Sequence, residues 1–208
     1  MDEHKNHNRV ELYGVLAGSP AFSHESRGER FFTFPLETRR LSGTVDCLNI
    51  IARENLLEHL DVTESAKLHI LGELRSFNNK RGPGSRLVIT VFAREISLED
   101  GEDINQVSLC GTICKPPNLR TTPMGRDICD FMLAVNRRYG RSDYLPCIAW
   151  GALAQQCAGL TVGDGVALEG RLQSRIYQKV IDGVTQERTA FEVSVTTLST
   201  PAPEAVSG

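Results

Sequence analysis

The sequence predicts an all-β protein with one short helix per domain, built as two tandem five-stranded barrels. Three observations carry this. Residues 105–149, moved back 97 places without a gap, fall on residues 8–52 and keep Asn8/Asn105, Leu12/Leu109, Gly14/Gly111, Pro20/Pro117, Gly28/Gly125, Phe34/Phe131, Leu36/Leu133, Arg40/Arg137, Gly43/Gly140 and Asp46/Asp143. Glycines and prolines held in register across several turns mean one backbone path used twice, with a period suited to a small domain rather than a solenoid unit. Each repeat is dominated by short period-two segments, and each offers room for only one short helix.

The second repeat justifies the elements in order. Val107 to Ile113 alternates as a half-buried strand does, and Pro116-Pro117 ends it. Thr122-Pro-Met-Gly125 reads as a turn before a β-rich run from Ile128 to Val135. Arg141-Ser-Asp143 marks another turn, and Tyr144 to Trp150 is the third strand. Ala152 to Ala158 is a good helix former closed by Gly159. Val166 to Lys179, a Val-Ile-Asp-Gly loop, and Thr189 to Leu198 complete the unit as a hairpin. The first repeat gives the same order, with its helix expected near Arg53–Leu60. Five strands with a helix between the third and fourth is the order of the oligonucleotide/oligosaccharide-binding (OB) barrel, whose closure removes most exposed edges. The expected organisation is a disordered 1–7, a first barrel over 8–98, an acidic linker at 99–104, a second barrel over 105–198 and a disordered tail at 199–208.

The 208 residues suit two small domains. No run approaches a membrane span, and residues 1–8 hold no apolar stretch, so a cytoplasmic, nucleoid-associated location with no membrane partner is expected. Cys47, Cys110, Cys114, Cys129, Cys147 and Cys157 do not repeat as a framework would and read as small buried hydrophobes. Cys110 and Cys114 lack a second Cys/His pair at zinc spacing, so neither metal nor other cofactor is expected.

The net charge of -3 argues at first against a nucleic-acid partner, but its distribution does not. Glu99, Asp100, Glu102 and Asp103 crowd the joint between repeats. Residues 8–98 carry 12 Lys/Arg against 11 Asp/Glu, and residues 105–198 carry 10 against 8. Lys115, Arg120, Arg126, Arg137, Arg138 and Arg141 form a local basic patch, which on charge alone a solvated face explains equally well. In the fourth strand of the second repeat, Arg171, Gln173, Arg175, Tyr177 and Lys179 share the face opposite Val166, Leu168, Gly170, Leu172, Ser174 and Ile176. Cations and an aromatic on one strand face suit phosphate neutralisation with base stacking. Tyr144 and Trp150 also share a face, and Leu145, Cys147 and Ala149 fill the inner one, which leaves Trp150 for the outer surface.

Here a resemblance becomes specific. Asn-x-Val-x-Leu-x-Gly (105–111), Arg-Thr-Thr-Pro-Met-Gly (120–125), Phe-Met-Leu-Ala-Val-Asn-Arg (131–137), Ile-Ala-Trp-Gly-x-x-Ala (148–154), Gly-Asp-Gly-Val (163–166), Glu-Gly-Arg-Leu-Gln-Ser-Arg-x-Tyr (169–177) and Glu-Val (192–193) follow one another. Together they resemble the bacterial single-stranded DNA-binding protein family across the whole second repeat. The resemblance implies the OB barrel, no catalysis, and single-stranded DNA as partner in replication, recombination or repair. By position it implies stacking aromatics at Tyr139, Tyr144, Trp150 and Tyr177 and backbone-contacting cations at Arg120, Arg137, Arg171 and Arg175. The first repeat departs: Cys47, Arg53 and Asn79 stand where Tyr144, Trp150 and Tyr177 do. It keeps Arg75, offers Phe77, and carries Lys80 and Arg81 in a basic Asn78–Gly84 loop where this fold holds DNA. Its Leu-Glu-Thr-Arg-Arg and Arg-Leu-Val-Ile-Thr-Val (86–91) resemble primosomal replication protein N, so weaker stacking and more backbone or partner contact are expected. The family's acidic, apolar-tipped tail, which recruits replication and repair proteins, is matched at 201–208 by one acid, Glu204.

A Gly-x4-Gly-Lys-Ser/Thr phosphate loop is absent, and the second repeat has no histidine to activate a nucleophile, so an enzyme is not expected. The rival is a primosomal adaptor acting through protein contacts, which predicts Trp150 and Tyr177 buried. Two barrels per chain and the family's usual four per assembly imply a homodimer, with the first or second strands as the expected isologous contact.

Overall fold

A computed structural model describes residues 8–58, 60, 63, 65–79, 87–137, 140–181 and 183–200. The expected disordered 1–7 lies outside the described residues, as does 201–208 of the expected tail at 199–208, whereas Ser199 belongs to the last strand. β1 (Asn8–Leu16), β2 (Ala21–Ser26), β3 (Glu29–Arg39), β4 (Val45–Arg53), β5 (Lys67–Asn78) and β6 (Leu87–Leu98) build the first barrel. β7 (Ile104–Ile113), β8 (Asn118–Thr121), β9 (Asp127–Asn136), β10 (Ser142–Trp150), β11 (Gly165–Ile181) and β12 (Val184–Ser199) build the second, with α1 (Ala152–Ala158) after β10.

Both barrels close in the same way. β1 pairs with β5, and its end turns to reach β3 at Val15↔Glu37 and Leu16↔Leu36. β3 pairs with β4, β4 runs parallel to β6, and β6 returns to β5. In the second barrel β7 pairs with β11 and closes on β9 at Thr112↔Ala134, while β10 runs parallel to β12. This is the OB strand order. The glycines that hold register in the sequence now have physical reasons. A Cβ on Gly14 would sit 2.4 Å from the Glu37 carbonyl oxygen, and one on Gly111 would sit 2.5 Å from that of Ala134, so closure demands glycine twice. Gly28 and Gly125 take φ of +77° and +78° in the equivalent turns.

Each barrel closes on five strands as expected, and the addition is one short hairpin strand on each, β2 beside β3 and β8 beside β9. Both are exposed along their whole length, so they lack the alternation by which a half-buried strand is recognised. The helix expected over Arg53–Leu60 is a single 3-10 turn, Glu54–Leu56. Its segment lacks the alanines of α1 and so lacks the propensity to extend, though Leu56 and Leu57 still pack against the core. The hairpin closing the second barrel is longer than expected, because Val180 and Ile181 belong to β11 and Ile181 pairs with Val184. Asp143, read as a turn residue, lies within β10 and is fully buried.

The two barrels share one sheet. β1 pairs antiparallel with β7, and the register places Val10 opposite Val107, which are equivalent under the 97-residue shift. A local twofold axis therefore passes through that pair, and β5, β1, β7 and β11 run side by side. Two buried aspartates reinforce the contact. Asp46 accepts hydrogen bonds from Arg40 Nε at 2.7 Å and from the Ser174 N–H at 2.8 Å across the boundary. Asp143 accepts from Arg137 Nε at 2.7 Å, the Ser76 N–H at 2.6 Å and Arg75 Nη1 at 3.1 Å. The hydroxyls return the contact: Ser174 Oγ accepts from the Cys47 N–H at 3.1 Å and Ser76 Oγ from the Tyr144 N–H at 2.7 Å. The first strands, expected to pair between chains, are thus spent within one.

The acidic joint is held against the first barrel rather than left as a linker. Lys67 Nζ meets Asp103 at 2.9 Å, the Arg39 N–H donates to Asp103 at 2.7 Å, and the Tyr13 hydroxyl donates to Glu99.

Two outcomes follow from these contacts. Asp143→Ala leaves the buried Ser76 N–H unpaired and two part-buried guanidiniums with only Glu73 and the Ser76 carbonyl between them, so urea denaturation followed by Trp150 fluorescence should show a loss of about 3 kcal/mol. At Asp103, burial alone would raise the carboxyl, but the Lys67 and Arg39 contacts outweigh it and hold the group below its ordinary 3.8. A depressed folded value means that this stabilisation is present above the unfolded pKa and is lost as pH falls through the folded one. Lys67→Ala should therefore raise the Asp103 titration seen by carbon-detected NMR, and its stability deficit should shrink below about pH 4.

Candidate nucleic-acid interface

The second barrel turns one face of its sheet outward. On β10, Leu145, Cys147 and Ala149 enter the core, leaving Tyr144 and Trp150 on the other side. Trp150 lies opposite Ile128 on β9, which lies opposite Arg120 on β8. The next row places Ile148 beside Ser194 of β12, and Ser194 beside Arg171 of β11. Farther along β11, Gln173, Arg175, Tyr177 and Lys179 follow on the face opposite Val166, Leu168 and Leu172. The alternation read in the sequence holds from Val166 to Leu172, but Gln173, expected outward, is buried with its amide 2.8 Å from Glu192, and Ile176, expected inward, is 65% exposed.

The aromatics stand ready on this face. Tyr144 is 50% exposed, while Trp150 and Tyr177 are half-buried. The Arg126 guanidinium lies 5.3 Å from the Trp150 ring centroid, and that of Arg175 lies 5.9 Å from Tyr177. Each ring thus carries a cation beside a surface that a planar base can cover. Arg126 belongs to the basic patch but escaped the residue-by-residue reading, because a turn side chain after glycine carries no alternation to betray its direction.

The cations divide into two groups. Arg120 is exposed and pairs with Asp130 at 2.6 Å, which raises its pKa. Arg171 is half-buried, and its Nε is buried with no hydrogen-bond partner; burial and then the Arg40 charge lower its pKa. Lys179 is exposed near the end of the hairpin. Arg137 and Arg75, both expected phosphate contacts, meet at Asp143 on the boundary between the barrels. In the first repeat Phe77 is 50% exposed. Tyr139, Lys80 and Arg81 lie outside the described residues.

The cysteines split. Cys129, Cys147 and Cys157 are buried as expected, and burial pushes the Cys157 thiol up to about 12 and raises that of Cys147 as well. Cys47 is exposed, because it occupies on β4 the outward position that Tyr144 holds on β10. Cys110 and Cys114 are half-buried.

Fold and face together define a tandem OB-barrel chain with an aromatic and cationic outer sheet face. Residues 104–200, the second barrel, match the Single-strand binding protein family. Single-stranded DNA-binding protein 2 of Listeria innocua is 35% identical over 82 residues, covering 36% of this chain and 52% of that protein. Single-stranded DNA-binding protein A of Bacillus subtilis is 37% identical over 82 residues, covering 36% of this chain and 48% of its own. The chain therefore spans about half the length of the curated relatives it matches. The crystal structure of wild-type single-stranded DNA binding protein from Thermus aquaticus covers 97% of this chain and 96% of its own, with a TM-score of 0.79 at 23% identity. That likeness establishes the shared fold over both barrels.

Arg126→Ala should cost no more than about 0.5–1 kcal/mol in stability, the worth of an exposed cation over a ring. It should nonetheless shift Trp150 emission, because that ring loses its charged neighbour. An emission spectrum unchanged by the substitution contradicts the contact.

Proposed function

We propose that this chain binds single-stranded DNA without sequence preference and protects it during replication, recombination or repair. The observation that carries the reading is the placement of Trp150 and Tyr177, each with an arginine at its ring, on one outward face of the barrel that matches the family. Stacking suits any base because every base has a π-face, and the cations answer the phosphates between. The work asked of the chain is binding, and the rings and cations suffice for it with no cofactor.

Oligo-dT should quench Trp150 fluorescence, and duplex of the same length should do so far less, since stacking needs unpaired bases. Affinity should fall steeply as salt rises, because Lys/Arg–phosphate contacts release counterions. Absence of quenching at low salt, or a flat salt response, would count against the site.

The proposal extends to a homodimer carrying four barrels. With β1 and β7 already paired, the surface that favours it is the face of the β11–β12 hairpin opposite Tyr177 and Lys179, where Ile176 and Val180 are 65% and 67% exposed. Such an exposed apolar pair suits a second copy. Light scattering at micromolar concentration should give twice the chain mass of 22.9 kDa, and Ile176→Glu with Val180→Glu should return it to one. Replication or repair proteins remain proposed partners, and the cytoplasm, with the nucleoid, the proposed location. Among the described residues no helix is long and apolar enough to cross a membrane.

A further inference from the structure

Trp150 owes its setting to one acidic residue on the far side of the sheet. Successive side chains of β9 alternate, so Ile128 shares the outward row with Arg120 and Trp150, and Asp127 turns to the opposite face, toward α1. There its carboxylate accepts from the Gln155 amide of α1 at 2.6 Å and from the Thr121 hydroxyl of β8 at 2.9 Å. Its backbone carbonyl accepts from the N–H of Gly151, the residue after Trp150, at 2.9 Å. One residue thus ties β8, the end of β10 and α1 together around the tryptophan. The Gln155 and Thr121 donors outweigh burial and hold the carboxyl below its ordinary 3.8, so it is ionised at neutral pH.

The turn before Asp127 is closed from its other end. The Thr122 N–H donates to the Arg126 carbonyl at 2.8 Å, and the Thr122 carbonyl accepts from the Gly125 N–H at 2.8 Å. The Thr122 hydroxyl accepts from the Arg126 N–H at 3.0 Å. Arg126 is therefore fixed on both sides, by Thr122 and by Asp127, with its guanidinium 5.3 Å from the Trp150 ring centroid.

The first barrel shows that this wiring belongs to the fold and its chemistry to the second barrel. Glu29, Arg30 and Arg53 correspond to Arg126, Asp127 and Trp150 under the 97-residue shift. Glu29 meets Arg53 at 3.0 Å, as Arg126 meets Trp150. Arg30 pairs with Glu54 of the 3-10 turn, as Asp127 pairs with Gln155 of α1. In both barrels the turn residue reaches the end of the neighbouring strand, and the next residue reaches the helical segment. The carboxylate stands at that second position in the barrel that holds the tryptophan.

We propose that Asp127 is the positioning residue of the stacking platform: by joining the β8–β9 turn to α1, it sets Arg126 and Trp150 in place before a base arrives. The inference rests on the function proposed above. Asp127 itself meets no strand on the outer face, because its side chain lies on the other one. A ring and a guanidinium ordered in advance lose less conformational freedom on binding, and that saving is its contribution to affinity. Charge alone gives the opposite expectation, since removing an acid near a cationic face strengthens the pull on phosphates. The two roles differ in sign.

The test uses the full chain, an oligo-dT of about 8 nucleotides, within what one barrel tracks, and Trp150 as the probe. Asp127→Ala should weaken binding about 3–10-fold, with the salt slope unchanged because no phosphate contact is lost. In Asp127→Asn the amide oxygen still accepts from Gln155 and the NH2 can donate to the Thr121 hydroxyl, so binding should stay at the parent value or tighten. Time-resolved anisotropy of Trp150 in the free chain should show greater nanosecond ring motion in the alanine variant and parent motion in the asparagine one. Gln155→Ala keeps the carboxylate, removes its tie to α1 and should shift both readouts as Asp127→Ala does; it decides the matter if Asp127→Ala fails to fold. Parent or tighter binding in the alanine variants would overturn the positioning role, and so would equal weakening in Asp127→Ala and Asp127→Asn. A parent chain whose Trp150 is not quenched overturns the proposed function instead, and the anisotropy of the free chain, which needs no DNA, still tests whether Asp127 holds the ring.

Discussion

Everything else in this molecule depends on the antiparallel ladder between β1 and β7. Val10 faces Val107 across it, the same position met twice, so a single chain holds the symmetric contact that two copies of a one-barrel protein would need. The ladder removes the outer edges of both first strands, which would otherwise present unpaired N–H and C=O groups. On either side Asp46 and Asp143 complete the contact by reaching the backbone of the opposite barrel at Ser174 and Ser76. A buried carboxylate is costly unless paired, and each of these is paired with an arginine as well as with the backbone. The outer faces are therefore held at a set angle to one another, and no flexible linker intervenes.

Symmetry in the frame permits asymmetry on the surface. The residues that close and join the barrels recur at equivalent positions: Gly14 and Gly111, Asn8 and Asn105, Arg40 and Arg137, Asp46 and Asp143. The outward residues do not. Trp150 answers to Arg53, Tyr144 to Cys47, and Ser194 to Phe92. Duplication with divergence on one face gives two neighbouring surfaces of different chemistry, one with arginines at tyrosine and tryptophan, the other with arginines around a phenylalanine.

Much of this was legible in the sequence, and the physical reasons are specific. The repeat disclosed the fold because closure forbids a Cβ at Gly14 and Gly111 and the turns require positive φ at Gly28 and Gly125, constraints that no drift in side chains relaxes. The outward direction of Trp150 and Tyr177 followed from period-two alternation, which a one-face-buried strand enforces. Other features were hidden because they arise between segments remote in sequence. Asp143 looked like a turn residue until Ser76, 67 positions away, supplied its partner. Arg75 and Arg137 carry the charge of phosphate ligands, and only the folded chain reveals the aspartate between them. Phe92 gave no signal of its own, since a phenylalanine in a strand is ordinary until three guanidiniums gather round it.

The outer sheet face of the second barrel is the path proposed for a single strand. The most direct test is a crystal structure of the full chain with an oligo-dT long enough to cross both barrels. Bases should lie on Trp150 and Tyr177, with phosphates within hydrogen-bonding reach of Arg120, Arg175 or Lys179. An oligonucleotide lying instead along the β5–β1–β7–β11 surface, with the Trp150 face bare, would contradict that path.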